Sequence, residues 1–120
     1  VSAVPPGWPA EVPPPGADAW ERKAVNWLLD LCPPEYRSYG VLRRWPPLLA
    51  RFAGEHVDAC LEGVRRGVET VRHALRDLPP EVVEEAIGAY DAEALRLSRA
   101  AVAVDLVGRA LSGTRYRPRL

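Results

Sequence analysis

Two apolar seams mirror each other about Pro79, and they constrain this chain more than any other feature. The first reads Ala50, Gly54, Val57, Leu61, Val64, Val68, Val71, Leu75, in alternating steps of four and three. The second reads Val83, Ile87, Tyr90, Ala94, Leu97, Ala101, Val104, Gly108, Leu111, in the same rhythm. That rhythm keeps apolar side chains on one stripe of an α-helix. Folded at Pro79, the stripes meet: Leu75 with Val83, Val71 with Ile87, and so on down to Ala50 with Gly108. The residue numbers of each facing pair add to 158. Unrelated helices do not hold one register over eight layers. The spacing therefore predicts an antiparallel hairpin of two long helices, about 47–77 and 81–112. Leu78-Pro79-Pro80 breaks the first, and Gly113 stops the second.

The flanks of the seams support the same register. On one side Arg72 falls beside Glu84, Arg65 beside Asp91 and Arg51 beside Asp105, opposite charges at seam-lining positions. Asp58 with Ser98 is neutral. The other flank is small and apolar: Ala53, Cys60, Gly67 and Ala74 on one helix, Ala86, Ala100 and Val107 on the other, interrupted by Glu93. Small residues let another helix approach closely.

The natural occupant is a shorter helix at about 18–32. Trp20, Ala24, Trp27 and Leu31 recur there at helical spacing, Asp18 and Glu21 resemble a capping box, and Pro33-Pro34 ends it. Residues 35–45 read as a short helix or turn. Ahead of all this, residues 1–16 hold six prolines, which exclude a helix and favour an extended arm. Trp8 suggests that the arm docks on the domain. The expected organisation is a proline-rich arm (1–16), a single helical domain (17–113) and a basic tail (114–120). The fold class is all-α, a hairpin packed with a shorter N-terminal helix in the manner of a three-helix bundle.

Coverage is incomplete on paper. Thirty helical residues span about 45 Å and fifteen span about 22 Å, so the short helix covers roughly half the groove. The distal part of the last helix is apolar on most sides, which calls for burial all round. A second copy of the chain would provide it, through a candidate interface of Ala100, Val102, Ala103, Leu106, Val107 and Ala110.

Composition excludes some functions and leaves others open. Lys plus Arg and Asp plus Glu both number 16, so net charge is zero and argues against nucleic acid or a membrane as partner. No run of 18 apolar residues exists, and no basic start followed by an apolar stretch marks a secretory signal. Cys32 and Cys60 lack the spacing of a metal knuckle or redox pair, so a reducing cytoplasm is the expected setting. Fifteen of the 16 bases are Arg, a bias typical of a high-GC bacterial genome.

No pattern carries chemistry by itself. His56 and Cys60 lie one helical turn apart, as do Glu69 and His73, spacing that would let each pair ligate a metal. His56 and His73 are about 25 Å apart along one helix and cannot share a site. Cys60 falls on the small-residue flank and reads as a small hydrophobe. The early acids Glu81, Glu84 and Glu85 complement the helix dipole. Glu93 is the odd acid, within range of Arg22 or Lys23 of the first helix. Arg37, Arg43 and Arg44 are interleaved with Tyr36, Tyr39 and Trp45, and Arg115, Arg117 and Arg119 surround Tyr116; both read as Arg stacked on neighbouring aromatics. A Trp-lined groove beside a polar Arg suggests a ligand pocket of Trp20, Trp27, Arg37 and Tyr90.

Three stretches have a familiar phrasing: Trp27-Leu-Leu-Asp-Leu-Cys-Pro-Pro-Glu-Tyr-Arg37, Val41-Leu-Arg-Arg-Trp-Pro46 and Glu93-Ala-Leu-Arg-Leu97. In these the chain resembles small uncharacterised all-helical proteins of high-GC bacteria, over residues 20–111. The resemblance implies no activity and no site residues. The expectation is a non-enzymatic protein without cofactor or metal, acting through contact with a second copy or another protein. The alternative is a small-molecule binder with its pocket between the first helix and the hairpin.

Overall fold

The computed structural model describes residues 4–113, so the tail at 114–120 lies outside the described residues. Among those described the fold is all-helical. It comprises α1 (Trp20–Leu31), a 3-10 turn (Pro34–Ser38), α2 (Gly40–Arg44), α3 (Pro46–Ala74) and α4 (Pro80–Leu111). Both long helices start on a proline, where the missing N–H has no intrahelical acceptor to serve. α3 ends at Ala74, where Arg76 donates from Nη1 to the His73 carbonyl at 2.9 Å. The Arg76 backbone N–H donates to the same carbonyl at 3.4 Å, so the guanidinium adds to a C-terminal oxygen that the turn already satisfies.

The hairpin holds the predicted register. A Cβ on Gly54 would lie 3.7 Å from Val104 Cγ1, and one on Gly108 only 3.1 Å from Ala50 Cβ. Arg72 Nη1 meets Glu84 Oε1 at 2.6 Å. The other two predicted ion pairs do not form within 4.0 Å. Asp105 instead pairs with Arg109, one turn along its own helix, at 3.0 Å. An exposed carboxylate takes the guanidinium that reaches it with least loss of side-chain entropy, and such pairs contribute about 0–1 kcal/mol. They mark the register more than they enforce it.

α1 is shorter than its predicted span and starts differently. Its N-cap is Ala19, at φ 58 and ψ 17, with no side-chain cap. Asp18 therefore sits one residue too early for the capping box. Glu21 still lies in the first turn, where it complements the dipole. α1 buries Ala24, Leu28 and Leu29 against the start of the hairpin, where Leu49, Ala53, Val57 and Val107 complete the cluster. Leu42 of α2 is fully buried in it too.

The arm docks, as Trp8 suggests, but it is not extended. Trp8 N bonds Pro5 O, Val12 N bonds Pro9 O and Ala17 N bonds Pro14 O, each at 3.0–3.2 Å. Two of these turns carry Pro-Gly at their centre, Pro6-Gly7 and Pro15-Gly16, with φ near +90 at both glycines. Proline presets the first central residue and glycine accepts the positive φ of the second, the type II arrangement. The Trp8 indole donates to the Val12 carbonyl at 2.8 Å. Pro5, Pro9 and Val12 are buried. Gly7 presses on α4 so closely that a Cβ there would lie 2.9 Å from Val102 Cγ1.

The shape is elongated and thin, 54 × 41 × 17 Å, with a radius of gyration of 17.4 Å. A compact chain of this length has about 13–14 Å. The excess arises because α1, about 18 Å long, cannot cover a hairpin of about 45 Å. No helix among the described residues is long and apolar enough to cross a membrane.

Candidate functional site

The small-residue flank of the hairpin shows how far coverage extends. Along α3, Ala53 is fully buried, Cys60 and Gly67 are half-buried, and Ala74 is exposed. Along α4 the same flank runs from fully buried Val107, through half-buried Ala100, Glu93 and Ala86. Beyond Cys60 the chain provides little. Tyr90 lays its ring over Gly67, so closely that a Cβ there would collide with it. Gly63, Thr70, Ala74, Val82 and Ala89 remain exposed. These positions make a strip about 17 Å long on the distal half of the hairpin, bordered at its inner end by the Glu93–Arg96 ion pair.

The candidate interface on distal α4 divides differently from the sequence expectation. Ala103 and Val107 are buried within the chain itself, Ala100, Leu106 and Ala110 are half-buried, and Val102 is exposed. The α1 helix and the proline arm cover part of the surface that a second copy was expected to cover. Val104 faces α3 and is buried, so it is a core residue.

Trp20, Trp27, Arg37 and Tyr90 do not form one pocket. The two tryptophans lie on α1 against the core. Arg37 turns to Asp30 at 2.7 Å, and Tyr90 lies over Gly67. A cleft of about 440 Å³ includes none of the four. It opens between α3 and α4 over Ala50, Gly54, Ala101 and Gly108, rimmed by Arg51 and Asp105. Its small-residue floor follows from the close approach of the helices there.

The most concentrated polar chemistry is at the edge of coverage. His56 Nε2 and Cys60 Sγ are 3.6 Å apart, and the Tyr36 ring meets both Phe52 and His56 edge-on, with centroids 5.7 and 6.1 Å away. Glu93 does not reach α1. Arg96 grips it with two hydrogen bonds of 2.6 and 2.7 Å, which hold its carboxyl below the ordinary value and raise the guanidinium. Cys32 differs: burial pushes its thiol up to about 11, against a smaller opposing pull from Arg37. No group of three or more His, Cys, Asp or Glu among the described residues is placed to hold a metal ion. The Tyr36–Phe52–His56 contact had no sequence signature, because its members come from a turn and a helix joined only in space.

One further patch lies on α2 and the start of α3. Tyr39, Val41, Arg43, Arg44 and Trp45 are all exposed, while Leu42 between them is buried and anchors the segment. Tyr36 turns inward onto Phe52 and His56 and Arg37 pairs with Asp30, so the expected stacking of arginine on these aromatics is not found among the described residues.

Comparison with protein-family models, curated proteins and solved structures finds no match for this chain.

Proposed function

We propose that the protein works through protein–protein contact as a homodimer, without catalysis of its own. The uncovered distal flank is the observation that supports this reading. Between the Glu93–Arg96 ion pair and the hairpin turn it is built of small residues, so a helix of a partner can approach closely and bury the half-exposed seam behind it. Val64, Val68, Ile87 and Ala94 are only half-buried and stand to gain from that contact. A second copy presents the same strip, and two-fold pairing is the commonest way for a protein to satisfy such a face. A bacterial, cytoplasmic setting belongs to the same reading, supported by the Arg-rich composition and by two free thiols.

Sedimentation velocity over a concentration series tests it. Self-association that Val82→Glu and Ala89→Glu abolish, with unchanged circular dichroism, is the expected result. Val102→Glu on the outer face of α4 should leave association intact. A monomer at every concentration overturns the homodimer. Loss in Val102→Glu alone moves the interface to the arm side.

A further inference from the structure

Net charge is zero, yet the charges are sorted along the molecule. Residues 36–54 contain four arginines (37, 43, 44 and 51) and no acid. Residues 76–93, around and beyond the hairpin turn, contain one arginine and six acids. Arg43 and Arg44 lie just before the start of α3, while the acids gather toward the hairpin turn, so the molecule has a basic end and an acidic tip. The argument from net neutrality holds only for evenly spread charge.

The basic end also carries the most exposed aromatic side chain. Trp45 is 63% exposed, Tyr39 49% and Val41 38%, together about 300 Å² of apolar-rich surface. A lone exposed Leu is ordinary, but a cluster of Trp, Tyr and Val around Arg43 and Arg44 is not. Trp45 is the N-cap of α3, so the positive end of a 29-residue helix dipole lies at the patch. Arg37 is neutralised by Asp30, which leaves Arg43 and Arg44 as the guanidinium groups beside Trp45.

We propose that this basic, aromatic end docks on an anionic lipid surface, with Tyr39, Val41 and Trp45 entering the headgroup layer while Arg43 and Arg44 engage lipid phosphates. The patch is less than half the roughly 800 Å² per partner of a stable protein interface. None of Tyr39, Val41, Arg43, Arg44 and Trp45 lines the cleft at Pro47. A membrane interface needs no such complementarity; it takes Trp and Tyr rings at headgroup depth and draws basic side chains to anionic lipid. The aliphatic Val41 fits lipid better than nucleic acid, which rewards many phosphate contacts and stacking rings. The charge separation sets the orientation, basic end down and acidic tip toward water. This docking is peripheral and does not depend on the proposed homodimer.

The test is co-sedimentation of the full chain with vesicles of phosphatidylcholine alone and of phosphatidylcholine mixed with phosphatidylglycerol. Binding to the anionic vesicles only, weakened by salt, is expected. Arg43→Glu with Arg44→Glu should lower it more than about tenfold, since four units of charge change near the surface. Trp45→Ser should lower it several-fold and remove a blue shift of the tryptophan emission, while Glu84→Gln on the acidic tip should not weaken it. All these side chains are exposed, and unchanged circular dichroism establishes that the variants fold. Equal binding to neutral vesicles, no binding at low salt, or an indifferent double variant each overturns the proposal. So does a single-stranded oligonucleotide that displaces the vesicles, which assigns the patch to nucleic acid. Sedimentation velocity without lipid reads self-association separately, so either proposal can fail alone.

Discussion

The two halves of the hairpin share one register and one heptad pattern, yet they are held by different means. In the proximal half α1, α2 and the proline arm close over α3 and α4, and Leu28, Leu29, Leu42, Leu49 and Val107 are shielded from water almost completely. In the distal half two helices pack on each other alone. Val71 and Val83 are buried near the turn, outside the main cluster, while Val64, Val68 and Ile87 between are half-exposed. A two-helix layer shields its seam from one side of each helix only, so a heptad stripe is necessary for burial but not sufficient. The same pattern yields core where a third element arrives and a half-exposed seam where none does.

Truncations sharpen this contrast most. Leu49→Ala in the covered half should cost about 2–5 kcal/mol by urea denaturation, from lost transfer energy and an unfilled cavity. Val68→Ala in the bare half should cost about 1 kcal/mol or less in the monomer. Equal losses would mean that the distal seam is covered too. Glycines provide the next comparison. Gly108→Ala pushes a methyl group against Ala50, 3.1 Å from where it must sit, and should destabilise by about 1–3 kcal/mol despite better helix propensity. Gly63→Ala meets nothing within 4 Å and should stabilise by about 0.5–1 kcal/mol, read as a higher urea midpoint.

A smaller effect belongs to the start of α1. Ala19 holds a left-handed conformation that costs an L side chain about 1 kcal/mol, so Ala19→Gly should raise stability by up to that amount. The smallest is pH-dependent. Burial raises the Cys32 thiol to about 11, so the folded state prefers the neutral form. That preference is intact below the ordinary thiol range, and its contribution to stability is lost as pH rises through about 9 to 11. Cys32→Ala should flatten the decline in stability over that window, and an unchanged slope would place the cysteine in a wetter environment.

Much of this architecture was legible in advance, for a definite reason. Heptad spacing is local, and an antiparallel pair of helices converts it into contacts by counting. Gly54 against Val104 and Arg72 against Glu84 follow from that count alone. Glu93 shows where counting stops. It was expected to reach α1, but Arg96 lies three residues away on its own helix and offers both nitrogens. The choice among guanidinium groups depends on reach in space, which periodicity does not encode. The His56–Cys60 pair was visible as a one-turn spacing, whereas Tyr36, which covers His56, comes from a turn with no repeat to follow.

The sequence by itself determined the helices, their antiparallel pairing, the register and the short third helix, because helical periodicity and proline breaks act within a few residues. Only the tertiary structure decided where coverage ends. The arm carries no periodic pattern, and its prolines remove the N–H groups that would tie it to a predictable partner. Its two Pro-Gly turns direct it onto α4, and this partly covers the surface around Leu106 that the sequence offered to a second copy. The same packing left the distal flank bare and set a basic, aromatic end opposite an acidic tip. Those features depend on which segments meet in three dimensions, and no count along the chain contains them.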